Sequence, residues 1–279
     1  MHTLARFRLC GSAGTRLHAT LLCALAAGCN TADLDVGFRK LFEPQRTPQQ
    51  NMVIAVSDPD PDVRRDAAAK LAASGQVTQE WAVNGLTAIA LLEANPQTRC
   101  VAIRGLAAGR DPRAVDVMLK ILNHTRHPPR EVRAPGELVR WDAALALAEL
   151  SEARVVTPEQ ADAVRETLLE RLRNDADRHV RIAAARGLAC CPQRDAVDGL
   201  MRALADDDFA VVAAATRSLE RLTGARLGSD AQAWAHWLAE HPSPELSVRP
   251  PPARQTWWQR MGQGTRDLFG WLFPGPKAR

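Results

Sequence analysis

The chain has 279 residues, of which 46% are hydrophobic and 24% are charged, with 36 lysines and arginines against 32 aspartates and glutamates. Arg6, Arg8 and Arg16 lie in the first 28 residues, which hold no acidic residue, so the remaining chain has 33 basic and 32 acidic residues. A nearly neutral chain of this kind gives no support for a general affinity for nucleic acid.

The N-terminal residues show the layout of an export signal. After the three arginines comes an apolar run, Ala19 to Ala27. A run of about nine residues is too short to span a bilayer, which needs roughly 20. A basic segment, a short apolar core and small residues predict a secretory signal.

The end of the apolar run, Ala26-Ala27-Gly28-Cys29, resembles the bacterial lipobox, although Ala26 stands where leucine is usual. The resemblance implies that residues 1–28 are a lipoprotein signal peptide and that Cys29 becomes the acylated first residue. The alternative is an ordinary signal peptide with Cys29 as a bystander. Asn30 in place of aspartate favours the outer membrane. We therefore expect a lipoprotein facing the periplasm, with residues 29–46 as a flexible leader.

Three cysteines lie beyond Cys29, namely Cys100, Cys190 and Cys191. Three scattered cysteines exclude a disulfide framework. We expect them to be small buried residues of helices.

An internal repeat sets the expected architecture. Residues 103–122 align without a gap on residues 185–204, with eight of 20 positions identical. Five alanine-rich copies align on one leucine each: Leu71, Leu106, Leu147, Leu188 and Leu219.

Each alanine-rich segment is followed by a second stretch whose apolar residues recur at i, i+3, i+4 and i+7, as in Val115, Met118, Leu119 and Leu122. This spacing predicts an amphipathic helix. We expect the two helices to form a hairpin, the hairpins to stack because none can bury its apolar face alone, and the second helices to line a concave surface.

The segments DPDPDVRRDAAAKLA (residues 58–72) and DADRHVRIAAARGLA (residues 175–189) resemble HEAT repeats of the short bacterial kind. The resemblance implies an all-α fold, an α-solenoid of about five HEAT-like helical hairpins over residues 47–241, followed by a C-terminal amphipathic helix. Residues 47–57 are expected to be a half-repeat helix that closes the N-terminal end.

In the HEAT family an acidic residue of the turn and an arginine early in the first helix form a ladder along the stack. The candidates here are Asp62 with Arg64 and Asp177 with Arg181, together with Arg99 and Arg140. Val212 replaces the arginine in the last copy and is expected to end the ladder.

A long connection between the second and third copies, HTRHPPREVRAPG (residues 124–136), is rich in proline and basic residues. Arg126, Arg130 and Arg133 are candidates for binding an acidic partner, and a solvated insertion is the alternative. We expect no metal here, because Pro128 and Pro129 end the helix that would have to carry both His124 and His127.

The C-terminal part is predicted to be a proline-rich linker (242–255), an amphipathic aromatic helix (256–273) and a basic tail (274–279). From Arg249 onward there are six basic residues and one acidic residue. An anionic membrane or a protein groove would suit this helix equally well. The candidate contact residues are Trp257, Trp258, Arg260, Arg266, Leu268, Phe269 and Trp271.

These features predict a non-catalytic protein-binding scaffold of the cell envelope, with unknown envelope proteins as partners and no cofactor apart from the lipid on Cys29. A fixed subunit of an envelope complex is one alternative, and an enzyme of the bilin-lyase type is another. The chain has no glycine-rich phosphate loop, and none of its seven histidines is followed by glutamate, as a HEAT-like di-iron hydroxylase would need.

Overall fold

The computed structural model describes residues 46–124, 132–242 and 244–249. The chain divides into two units at Thr47 and Pro48, and all the helices named here belong to the second unit. The signal segment, Cys29, Arg126, Arg130 and the aromatic segment from Trp257 to Trp271 lie outside the described residues.

Eleven α-helices make up the described part of the chain, which contains no strand. In order, they are α1 (Pro48–Ser57), α2 (Pro61–Ala72), α3 (Glu80–Leu92), α4 (Pro96–Gly109), α5 (Pro112–Leu122), α6 (Glu137–Glu152), α7 (Pro158–Asn174), α8 (Arg178–Leu188), α9 (Arg194–Arg202), α10 (Phe209–Thr223) and α11 (Ala231–Glu240). A 3₁₀ turn, Ala203–Ala205, extends α9.

Short polar residues start most of these helices. The side chains of Asp60, Asn95, Asp177 and Asp208 each accept a hydrogen bond from a backbone N–H in the first turn of the helix that follows. Such caps satisfy N–H groups that have no partner within the helix. Thr157 and Gln160 form a capping box at the start of α7.

The helices form different pairs from the ones expected, in which each alanine-rich helix was paired with the helix that follows it. Each leucine-rich helix packs along the alanine-rich helix that follows it, so the hairpins are α1–α2, α3–α4, α5–α6, α7–α8 and α9–α10. Four of these hairpins close through three-residue turns. By contrast, two helices that are joined by a connection between hairpins make few contacts with each other. Five hairpins are present as predicted, but α1 is the first half of a hairpin, and the additional helix is α11 at the other end.

The alanine-rich helices α2, α4, α6, α8 and α10 stack side by side and form the centre of the core. The aligned leucines Leu71, Leu106, Leu147, Leu188 and Leu219 are all buried, with at most 1% of their surface exposed. Small residues allow the close approach, because a Cβ on Gly105 of α4 would stand 2.8 Å from the Cβ of Ala72 of α2.

The stack bends toward its alanine-rich side. Neighbouring alanine-rich helices contact one another more extensively than neighbouring leucine-rich helices do. Arg221 of α10 also reaches past α8 to Glu152 of α6, with Nη1 and Oε1 3.1 Å apart. The expectation that the leucine-rich helices line the concave surface is therefore wrong, because smaller side chains let the alanine-rich helices come closer and form the inner face.

No helix among the described residues combines the length and the apolar composition needed to cross a bilayer.

Candidate binding surface on the inner face

Each alanine-rich helix presents one stripe of solvent-facing residues, here called the inner stripe. Its positions lie nine and six residues before the aligned leucine, then two before and two after it, and this spacing places them on one helix face. The stripe consists of Leu138, Trp141, Leu145 and Glu149 on α6, His179, Ile182, Arg186 and Cys190 on α8, and Ala210, Ala213, Arg217 and Arg221 on α10.

Beside the inner stripe, an arginine ladder joins successive hairpins. Arg64 donates from Nη2 to Glu93 over 2.8 Å, and Arg181 donates from Nε to Asp206 over 2.9 Å. Arg140 donates from Nε to Asp175 over 3.1 Å. Each arginine also donates to a backbone carbonyl of the turn before its own helix.

The acidic partners predicted for Arg64 and Arg181 are wrong. Asp62 lies in the exposed first turn of α2 and pairs with Arg65 at 2.8 Å. Asp177 caps α8 by accepting from the N–H groups of His179 and Val180. Each ladder carboxylate instead belongs to the turn of the next hairpin, because an arginine at the fourth residue of a stacked helix faces its neighbour.

Two of the ladder carboxylates, Glu93 and Asp206, are held in the charged form. Burial alone would raise the pKa of Glu93, but hydrogen bonds from Arg64 and from backbone N–H groups outweigh it and leave the pKa below its usual value. The pKa of Asp206 is lowered in the same way, since the hydrogen bonds from Arg181 and the Asp208 N–H exceed the effect of burial. These pairs are structural.

Arg99 occupies the ladder position of α4 but has no carboxylate partner. Ala134 stands six residues before Arg140, where the other turns carry an acid, so Arg99 donates to backbone carbonyls. Its partners are the oxygens of Ala90 at 2.8 Å, Arg133 at 3.1 Å and Ala134 at 3.3 Å. The side chain is only 2% exposed, and burial lowers the pKa of its guanidinium.

Arg133 is the one residue of the predicted basic cluster that lies among the described residues, and its own hydrogen bonds join it to α3. Its N–H donates to Leu91 over 2.9 Å, and its Nε donates to Leu92 over 3.3 Å. Arg133 is exposed. Residue 133, near the end of the insertion, is thus fixed to the C-terminal end of α3.

The centre of the inner stripe is apolar. Trp141 of α6 lies against His179 of α8, with ring centroids 4.9 Å apart. Leu138, Leu145 and Ile182 are half-buried and pack against the core. Trp141 thereby joins two hairpins while part of its ring remains accessible to a ligand.

Charged residues surround this centre. Arg104 of α4 pairs with the buried carboxylate of Asp142, with Nε and Oδ2 2.8 Å apart, while its own side chain is 65% exposed. In contrast, the side chains of Arg186 of α8 and Arg217 of α10 make no hydrogen bond or ion pair with any described residue. Neither arginine was predicted as a site residue. Both stand two places before an aligned leucine, Leu188 or Leu219, and this common position is the signal in the sequence that points to them.

The described cysteines are unsuited to nucleophilic catalysis. Burial, followed by the charge of Asp142, raises the pKa of Cys100 to about 12, and burial raises the pKa of Cys191 to about 12. The thiolate is the reactive form of cysteine. The described cysteines are free thiols, and no group of three potential metal ligands occurs in the described part of the chain.

Comparison with known proteins supports the repeat architecture. Residues 165–242 match the family model for HEAT repeats. No curated protein matches the chain.

Solved structures with a similar arrangement of helices include the complex of CpcE and CpcF of phycocyanin lyase from Nostoc sp. PCC7120, at 21% identity, 71% of each chain covered and a TM-score of 0.46. An engineered protein covers 81% of this chain and 96% of its own at 17% identity, with a TM-score of 0.45. A computationally designed armadillo repeat protein for modular peptide recognition covers 71% and 90% at 16% identity, with a TM-score of 0.44.

Proposed function

We propose that this protein is a non-catalytic scaffold that binds a protein partner on the inner face of its HEAT-repeat stack. One observation carries the proposal: the side chains of Arg186 and Arg217 have no partner among the described residues, and they lie on the same inner stripe as the partly exposed Trp141. Tryptophan and arginine are enriched among the residues that dominate protein–protein binding. Because the repeats are already ordered, binding would not require them to fold.

We further propose that the scaffold is held at a membrane facing the periplasm by lipid on Cys29. The support is the order of basic residues, apolar run and small residues before Cys29. Buried acyl chains contribute about 0.8 kcal/mol per methylene, so several chains on one residue give stable attachment. The outer membrane is favoured by Asn30, and residues 256–273 would supply a second contact with lipid or with a partner.

Site-specific photo-crosslinking in cells tests the binding surface. A crosslinking amino acid replaces Glu149 on the inner stripe or, as a matched control, Glu166 on the leucine-rich helix α7; both side chains are exposed. We expect a discrete adduct from position 149 and none from position 166. Adducts from position 166 alone, or from neither position, would show that the inner face is not the binding surface.

The anchor is tested by replacing Cys29 with serine. We expect the variant to stay uncleaved or to leave the membrane fraction, because serine cannot form the thioether to the lipid. The measurement is membrane fractionation together with mass spectrometry of the mature N-terminus. Unchanged membrane retention, with no lipid found on the N-terminus of the unaltered protein, would refute the anchor.

A further inference from the structure

This inference rests on the proposed function and names the chemistry of the partner. We infer that the inner face binds an extended acidic segment of a partner protein, which lies along the row of residues two places before the aligned leucines. In the described stack this row, here called the arginine row, consists of Ala69, Arg104, Leu145, Arg186 and Arg217.

Uncompensated positive charge concentrates at one end of the arginine row. Arg104 forms an ion pair with Asp142 at 2.8 Å. Arg221, which stands two places after the aligned leucine of α10, forms an ion pair with Glu152 at 3.1 Å. Arg186 and Arg217 have no such carboxylate among the described residues, and Glu149 is the one unpaired acid of the inner stripe on α6. A partner carboxylate can therefore bind Arg186 or Arg217 without displacing an existing ion pair.

The spacing of the row matches an extended chain that crosses the helices. Packed helices lie about 8–10 Å apart. A chain in the extended polyproline II conformation advances about 3.1 Å per residue with three residues per turn, so every third side chain faces the same way and meets the next helix of the stack. Acidic residues three apart would face Arg186 and Arg217, and an apolar residue three places further would face Leu145 beside Trp141 and Ile182. One more acid would lie near Arg104.

Other occupants fit the row less well. The segment from Arg249 to Arg279 has six basic residues and one acidic residue, so the arginines would repel it. The acidic stretch at residues 58–62 is already engaged, because Asp58 accepts from the Asp60 N–H at 2.9 Å and Asp60 accepts from the Asp62 N–H at 2.8 Å. This stretch of a second copy is therefore not free to bind the row.

The test uses the full-length protein in detergent and a fluorescently labelled ten-residue peptide. The peptide carries aspartate at positions 1, 7 and 10, leucine at position 4, and glycine or serine elsewhere; a scrambled peptide groups its aspartates together. We expect the ordered peptide to bind more tightly by fluorescence anisotropy, and its affinity to fall as salt rises because exposed charges are screened.

Charge reversal locates the site. The double variant Arg186→Glu and Arg217→Glu should bind the ordered peptide at least tenfold more weakly. The matched control, Arg173→Glu and Arg202→Glu, reverses two exposed arginines on the leucine-rich helices α7 and α9 and should bind as the unaltered protein does. Unchanged circular dichroism and melting temperature in both double variants ensure that folding is not the cause.

Equal binding of the two peptides, or equal weakening by the two double variants, would overturn the inference. If position 149 still crosslinks to a partner in that case, the proposed function stands and only the partner's chemistry is wrong. Sedimentation that shows a dimer, abolished by Arg186→Glu and Arg217→Glu, would also overturn the inference and assign the surface to a second copy of the chain.

Discussion

Single arginines align successive hairpins in this protein. Arg140 shows how, because it donates to Pro135 of its own turn and to Asp175 of the next turn, whose side chain is 1% exposed. A carboxylate buried to that extent needs a charged or hydrogen-bonding partner. One side chain thus connects its own turn to Asp175, which lies 35 residues further along the chain than Arg140.

Removing Arg140 should therefore be costly. We expect Arg140→Met to lower the free energy of unfolding by about 3 kcal/mol, at the low end for a broken buried pair, because Arg171 stays 3.4 Å from Asp175. The control is Arg165→Met, which loses partners on Asp162 and Asp195 that are 79% and 51% exposed. Exposed pairs contribute about 1 kcal/mol or less. Urea denaturation of both variants measures the difference, and equal losses would contradict a stabilising role for the ladder.

At the scale of the helices, local patterns in the sequence predicted most of the outcome. Caps such as Asp60 and Asn95, prolines at the first helical turn and apolar residues at helical spacing identify where the helices form, because these signals act within one or two turns. The pairing of helices was not predictable in this way. Both partners of an alanine-rich helix are amphipathic, and their sequences do not show which of the two packs along it.

Glycine in an alanine-rich helix reflects this packing. An added Cβ at Gly105 would stand 2.8 Å from the Cβ of Ala72 and 3.4 Å from its Cα, neither of which can rotate away. Overpacking costs about 1–3 kcal/mol. We expect this cost in the free energy of folding to outweigh the gain of about 1 kcal/mol that Gly→Ala gives through higher helix propensity.

We therefore expect Gly105→Ala to lower the melting temperature. Gly85→Ala on α3 is the matched control, because the added Cβ there meets the end of the Met52 side chain, which is flexible and half-buried. The control should be neutral or slightly stabilising. Thermal unfolding followed by circular dichroism makes the comparison, and a gain in stability for Gly105→Ala would show that α2 and α4 are not closely packed.

At the scale of the whole stack, curvature determines which residues are available for binding. The alanine-rich helices approach closely and form the inner face, so Trp141, Arg186 and Arg217 are brought onto one surface although they come from three hairpins. The leucine-rich helices, on which the sequence analysis placed the concave surface, lie on the outer side. The predicted binding surface of a solenoid therefore depends on which helices are assigned to the inner face, even when every helix is identified correctly.

The sequence by itself determined the repeat, the positions of the helices and the all-α stack, because these depend on periodicity and on signals between near neighbours. It also identified the ladder arginines, but it assigned Asp62 and Asp177 as their partners. Only the tertiary structure decided that the partners are Glu93, Asp175 and Asp206, which helices pair, and which arginines remain unpaired. The physical reason is that these outcomes depend on residues 25 or more positions apart, which meet only after the hairpins stack.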